Sequence, residues 1–171
     1  MIHARTRSLA AVAVAVSAGL TVYLLVPSEE ARVRARLGHL AESLCVPLRE
    51  QDLARFARAS RVRGYLAEDV TVEFEAGSEP PVRGREALVG LVARPWAPQA
   101  GVRVELARMT VTLDEARTSA DVRLEARGVS LDPSADPPTL EVRLLSLTLR
   151  RVDGTWLVSA VRVMSPDDAA R

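Results

Sequence analysis

The hydrophobic residues in the C-terminal half of the chain alternate with polar ones, which is the pattern of β-strands. In three stretches this alternation changes parity midway. The first change passes from even to odd positions across Ala107 and Arg108, from Val102, Val104 and Leu106 to Met109, Val111 and Leu113. The other two lie at Gly128 and between Leu144 and Leu145. Each change predicts a β-bulge, and bulges at similar depth in neighbouring strands predict a strongly bent sheet.

The same alternation, with its turn signals, predicts the order of the strands. Four long strands are expected at about 101–113, 117–131, 139–151 and 155–164. Asp153-Gly154 is typical of a tight hairpin between the last two. Val70, Val72 and Phe74 indicate an earlier strand. The Pro-rich segment 132–138 predicts a loop, and 165–171 a flexible tail.

Helical periodicity precedes these strands. Val33, Leu37, Leu40 and Leu44 share one stripe of a helix that begins at Glu29. A short third helix is predicted from Gly84 to Val92, opened by Gly84-Arg85-Glu86.

A second helix is predicted from Asp52, which is a good N-cap residue. We expect it to bury Leu53, Phe56 and Ala57 and to leave its arginines in solvent: Arg55, Arg58, Arg61 and Arg63. The alternative function for those arginines is a patch that rests on anionic lipid head groups or on an acidic partner.

The N-terminal segment 9–26 contains eighteen residues without a charge. As a helix it would be about 27 Å long, close to the hydrocarbon thickness of a bilayer. The sequence therefore predicts a transmembrane anchor at 9–26 with a cytoplasmic n-region at 1–8, and a cleaved signal sequence is the alternative. Arg5 and Arg7 precede the segment, which favours a single pass through the inner (cytoplasmic) membrane with the following domain in the periplasm or outside the cell.

The charges and the cysteine count exclude several classes of function. From Glu29 onward 21 arginines are balanced by 22 acidic residues, so the domain is nearly neutral and is not expected to bind nucleic acid. Cys45 is the single cysteine, which excludes an internal disulfide and a multi-cysteine metal site. We expect Cys45 to be a small buried hydrophobe, and the chain to use no metal and no cofactor.

The order of these elements resembles the nuclear transport factor 2-like superfamily, which includes ketosteroid isomerase-like, SnoaL-like and polyketide cyclase proteins. The resemblance covers residues 29–164, within a predicted domain at 27–164. It depends most on two segments, Leu66-Ala67-Glu68-Asp69-Val70-Thr71-Val72 and Val82-Arg83-Gly84-Arg85-Glu86-Ala87-Leu88. It implies an α+β fold in which a strongly curved antiparallel sheet wraps around the N-terminal helices as a cone. It also implies a cavity inside the cone and, in many members, a homodimer through the sheet.

The chain departs from the enzymes of this superfamily at the places where they carry catalytic groups. The position of the carboxylate base falls near Phe74, and phenylalanine cannot exchange a proton. The two oxyanion-binding positions fall at His39–Leu40 and Leu144–Ser146, without a tyrosine or an acid. The dehydratase-like members use a His-Asp pair, and His39 is predicted to point away from the buried stripe.

Two functions therefore remain open. The first is a non-enzymatic, membrane-anchored domain that binds a small apolar ligand or docks onto an envelope protein. Its ligand-binding side chains are predicted to be Tyr65, Phe74, Trp96 and Met109. The alternative is an isomerase, cyclase or dehydratase that uses Asp69, Glu73, Glu75 or His39.

Overall fold

The computed structural model describes residues 27–74, 80–94, 101–131 and 140–164. These residues form three helices and six strands, in the order α1 Glu29–Leu44, α2 Asp52–Arg63, β1 Leu66–Glu73, β2 Val82–Arg83, α3 Arg85–Val92, β3 Val102–Leu113, β4 Ser119–Ser130, β5 Leu140–Val152 and β6 Thr155–Met164. The predicted anchor at 9–26 and the predicted tail at 165–171 lie outside the described residues. Among the helices that are described, none is long and apolar enough to cross a membrane.

The six strands form one curved sheet in the order β2-β1-β6-β5-β4-β3. The predicted α+β fold is confirmed, but the sheet is not wholly antiparallel, because β1 pairs with β6 in parallel. The remaining pairs are antiparallel, as expected for strands joined by hairpins. The tightest hairpin joins β5 to β6 through Asp153 and Gly154, with φ angles of 48° and 79°. Two positive φ angles are the signature of a type I′ turn, so the Asp-Gly prediction is confirmed.

The first of the three predicted bulges is confirmed. The β3–β4 register shifts between Ala107 and Thr110, so that Arg108 and Met109 oppose one residue of β4. Arg108 has a φ of 49°, in the left-handed region, which is how the extra residue is accommodated.

The other two bulge predictions are wrong in position. Gly128 pairs regularly with Val104 and Glu141, and β5 keeps its register with β4 at Leu144 and Leu145. The β5–β6 irregularity lies between Thr148 and Leu149, and the unpaired residue is Ser159 of β6. The parity of β5 changes for another reason, because its two ends place apolar residues on opposite faces of the sheet. Leu140 and Val142 are 58% and 46% exposed, whereas Leu147 and Leu149 are buried.

The core lies between α1 and the inner face of the sheet. The predicted stripe of α1 is confirmed, since Val33 and Leu37 are buried and Leu40 and Leu44 pack against the core. The buried residues of the sheet complete this core: Leu66, Val70, Val111, Ala120, Val122, Leu124, Leu147, Leu149, Trp156 and Val158.

Helix α2 packs with the opposite face from the one predicted. Leu53 and Phe56 are 82% and 60% exposed, and the buried residues are Arg58, Ala59 and Val62. The prediction failed because Arg58 has a counter-charge outside the helix. Glu50 binds it, and pairing makes the burial of an arginine tolerable.

Candidate functional site

A cleft of about 430 Å³ lies at one end of the cone, between the helices and the inner face of the sheet. Its apolar lining comes from two helices and two strands: Leu44 of α1, Leu91 and Val92 of α3, Val102 and Val104 of β3, and Ala126 of β4. Because α1, α3 and the strands meet at this end without filling it, the lining side chains are only partly buried. The cleft is therefore an open apolar site and not a sealed core void.

The β3 wall of the cleft is fixed by the connection between α1 and α2. Val46 and Val102 exchange two backbone hydrogen bonds of 2.8 Å. Gly101 makes this close approach possible, since a Cβ there would lie 2.9 Å from the Val46 carbonyl oxygen. Cys45 was predicted to be a small buried hydrophobe, but it is only half-buried, and its sulfur accepts a 3.3 Å hydrogen bond from the Val104 N–H.

One buried ion pair borders the cleft. The Arg58 guanidinium donates from Nε and Nη2 to the two carboxylate oxygens of Glu50, at 2.8 and 2.9 Å. The side chains are 3% and 8% exposed. Arg58 is also one of the residues that line the cleft. Such bidentate pairs are among the strongest hydrogen-bonded contacts in proteins, and this one determines which face of α2 turns inward.

The opening of the cleft is polar. Glu141 and Arg143 of β5 line it, and their side chains are exposed and joined by a 2.6 Å contact. Gly128 lies on the neighbouring strand, paired with Glu141. A Cβ at Gly128 would meet nothing closer than the Glu141 carbonyl oxygen at 3.9 Å, so the missing side chain leaves room in the cleft. A glycine inside an apolar strand often marks such a place, and this signal in the sequence was misread as a bulge.

Three of the four predicted ligand-binding residues lie in the described part of the chain, away from this cleft. The Tyr65 ring packs 4.1 Å from the Arg36 guanidinium. Met109 packs against the core, and its carbonyl oxygen accepts a 2.7 Å hydrogen bond from Arg34. Phe74 is half-buried just after β1, and Trp96 lies outside the described residues. Tyr65, Phe74 and Met109 are not part of the lining of the cleft.

The candidate catalytic residues are also dispersed. His39 is 65% exposed and lies 3.3 Å from Glu42, as its predicted outward direction requires. A hydrogen bond from Arg150 holds the pKa of Asp69 below its ordinary value, so Asp69 is a carboxylate in solvent. Glu73 accepts a 2.9 Å hydrogen bond from Arg162, and Glu75 lies outside the described residues. Within the described ranges no three metal-ligating side chains come together.

No protein-family model and no curated protein matches the chain. Solved structures do match. A putative scytalone dehydratase from Novosphingobium aromaticivorans aligns with a TM-score of 0.62 at 14% identity, over 79% of this chain and 82% of that one. An NTF2-like protein with a cystatin-like fold from the same species aligns with a TM-score of 0.60 at 17% identity, over 91% of this chain and 93% of that one.

A third similar structure is ActVI-ORFA of Streptomyces coelicolor, with a TM-score of 0.58 at 19% identity over 81% of this chain and 97% of that one. All three alignments extend over most of both chains. At such low identity they establish the architecture and leave the activity open. The chain has the cystatin-like α+β fold of the nuclear transport factor 2-like proteins.

Proposed function

We propose that this domain binds one small, mainly apolar molecule in the cleft without transforming it, and that residues 9–26 hold the domain at a membrane. The observation that carries the proposal is the apolar lining of a cleft of about 430 Å³. Ligand sites usually have volumes of roughly 300–1,000 Å³ and a few polar groups that orient the ligand. Arg58, Arg127 and the Glu141–Arg143 pair are those polar groups here.

The chemistry of the polar groups favours binding over catalysis. A general acid or base must reach the substrate within hydrogen-bond distance and must change its protonation state. Arginine stays protonated in proteins, so Arg58 can attract a ligand but cannot exchange a proton with it. Among the described lining residues the one carboxylate is Glu141, which is exposed at the opening and already paired with Arg143.

The alternative function, an isomerase, cyclase or dehydratase, is favoured by one observation. Glu50 is a buried carboxylate bound to Arg58, which lines the cleft, so it is a candidate acid or base. To act as a base, Glu50 would have to weaken its hydrogen bonds to Arg58 as it takes the proton, and would leave the Arg58 guanidinium buried without a counter-charge. That loss makes binding alone the better proposal.

Native mass spectrometry of the full-length chain in mild detergent tests the proposal. We expect a population whose mass exceeds that of the chain by one small apolar molecule, either carried through purification or taken up from an envelope lipid extract. The bound compound should be recovered unchanged after prolonged incubation with the protein. Conversion of the compound would support the enzyme, and a chain that stays bare after incubation with the extract would contradict ligand binding.

The location and the assembly belong to the same proposal. A domain anchored by 9–26 should be degraded by protease added to intact spheroplasts if it lies on the outer side of the cytoplasmic membrane. Survival of the domain until lysis would contradict that orientation. For assembly, we propose a homodimer or an envelope-protein contact through the outer face of the sheet, where Leu140 and Val142 are exposed. Val142→Glu should abolish dimers in analytical ultracentrifugation, and an unchanged sedimentation coefficient would exclude that face.

A further inference from the structure

Helix α2 turns an apolar stripe toward solvent. At 100° per residue, Leu53, Phe56 and Ala57 fall on one side of the helix around the small side chain of Ser60, and all four residues are exposed. The opposite side faces the domain and holds the buried residues of the helix: Arg58, Ala59 and Val62. A surface helix normally buries its most apolar side. The exposed stripe is therefore left without a partner inside the described part of the domain.

Basic residues border this stripe. Arg61 lies on one flank, and Arg63 lies on the other, where it makes a solvent-exposed ion pair with Glu86. The helix carries four arginines and one acidic residue, Asp52. An apolar stripe with Leu and Phe, flanked by arginines, is the composition of helices that lie in the interface of a bilayer. Long arginine side chains can extend from such a stripe to the head groups.

Segment 9–26, proposed above as a membrane anchor, would keep a membrane close to this helix. Segment 9–26 is eighteen residues without a charge, and the domain begins directly after it at Pro27. A domain tethered in this way needs little intrinsic affinity for the bilayer, because the tether keeps its effective concentration at the surface high. The inference thus shares the membrane part of the proposed function but does not depend on the cleft.

We propose that the exposed face of α2 docks onto the anionic surface of the bilayer that holds the chain. Leu53 and Phe56 enter the boundary between head groups and acyl chains, and Arg61 and Arg63 bind lipid phosphates. The helix has twelve residues and is about 18 Å long, so it would lie along the surface. The buried Arg58–Glu50 pair then has a second consequence, since it holds the apolar stripe outward.

Spin-label accessibility of the full-length chain in liposomes tests this docking. A label at Ala57 in a Cys45→Ser background reports the α2 face, and a label at exposed Ala87 of α3 is the matched control. In vesicles that contain phosphatidylglycerol, we expect the Ala57 label to become more accessible to oxygen and less accessible to a water-soluble nickel chelate. The Ala87 label should keep its accessibility to both reagents.

Two further arms separate the possible occupants of the face. Leu53→Gln/Phe56→Gln should abolish the change at Ala57, and so should vesicles of phosphatidylcholine alone at physiological salt. A label at Ala57 that stays as water-accessible as the Ala87 label would overturn the proposal. A change that appears in detergent without lipid and grows with protein concentration would assign the face to a second copy of the chain, and would also overturn it.

Discussion

Replacing Glu50 with leucine would leave the guanidinium of Arg58 buried without a counter-charge. Arg58 is 3% exposed and makes two charge-assisted hydrogen bonds to Glu50, at 2.8 and 2.9 Å. Hydrogen bonds to charged groups contribute about 1.5–3 kcal/mol each, which gives a total of roughly 3–6 kcal/mol. Removing one partner of a buried ion pair costs about 3–5 kcal/mol, which agrees with the sum of the two hydrogen bonds. A loss of that size is a fifth or more of the roughly 5–15 kcal/mol that stabilises a typical domain.

A double-mutant cycle of Glu50 and Arg58 makes the prediction specific. The reverse variant, Arg58→Met, should be destabilised to a similar extent, because it leaves the Glu50 carboxylate buried and unpaired. The double variant Glu50→Leu/Arg58→Met should be as stable as the parent, or more stable by up to about 4 kcal/mol, because apolar side chains of similar volume replace both charges. Glu141→Leu is the matched control, since its pair with Arg143 is exposed and should contribute at most about 1 kcal/mol.

Urea unfolding of the full-length chain, followed by tryptophan fluorescence, measures these differences. With a slope of about 2 kcal/mol per molar urea, Glu50→Leu should lower the midpoint by about 2 M while the slope stays unchanged. If Glu50→Leu cost no more than Glu141→Leu, the pair would be solvated. The reasoning that makes it the cause of the orientation of α2 would then be refuted.

Three other outcomes test the fold. Leu37→Ala should lower the free energy of unfolding by about 2–5 kcal/mol, because this side chain is 1% exposed. Leu53→Ala should change it by less than about 0.5 kcal/mol, because that side chain is 82% exposed. Equal losses in urea titrations would contradict the packing of α2. Arg108→Gly should stabilise the chain by about 0.5–1 kcal/mol in thermal denaturation, since φ is 49° there, and Arg108→Val should destabilise it. The opposite order of stability would exclude the bulge. Asp114→Ala should lower the melting temperature, because backbone N–H donors of Ser119 and Thr118 hold the β3–β4 turn and keep the pKa of Asp114 below its usual 3.8. A carboxyl with a lowered pKa stabilises the fold above about pH 4 and loses that effect as the pH falls through its lowered pKa, so the difference between the two proteins should shrink in acid. A difference that did not shrink as the pH fell would argue against the turn.

The parts of the fold that local patterns encode could be predicted. The stripe from Val33 to Leu44 was predicted from the helical spacing of its apolar residues alone. The four long strands were predicted within two residues of their observed ends. The turn at Asp153-Gly154 follows from the two residues that tolerate positive φ. The bulge at Arg108 followed from a change of parity inside a single strand.

The parts that depend on contacts between distant elements could not. Helix α2 buries its less apolar face, and Glu50, which lies before the helix, pairs with Arg58 on that face. The parity change in β5 has the same appearance in sequence as a bulge, but it arises because Leu140 and Leu147 lie on opposite faces of the sheet.

The cleft could not be placed from the sequence for the same reason. It is lined by residues from Leu44 to Arg143, and no local period brings these together. The lining contains aliphatic side chains, as the sequence suggested, together with a glycine and charged residues, but Tyr65, Phe74 and Met109 are not part of it.

Filling the cleft with a new side chain tests whether the small molecule binds there. Gly128→Leu adds a side chain at a strand position with open space toward the cleft, and Gly90→Leu adds the same group on α3, where nothing lies within 4 Å of the new Cβ. Native mass spectrometry of both full-length variants reports the fraction that carries the retained small molecule. We expect Gly90→Leu to retain the molecule, and Gly128→Leu to lose it while staying folded. Equal retention by the two variants would show that the molecule binds elsewhere.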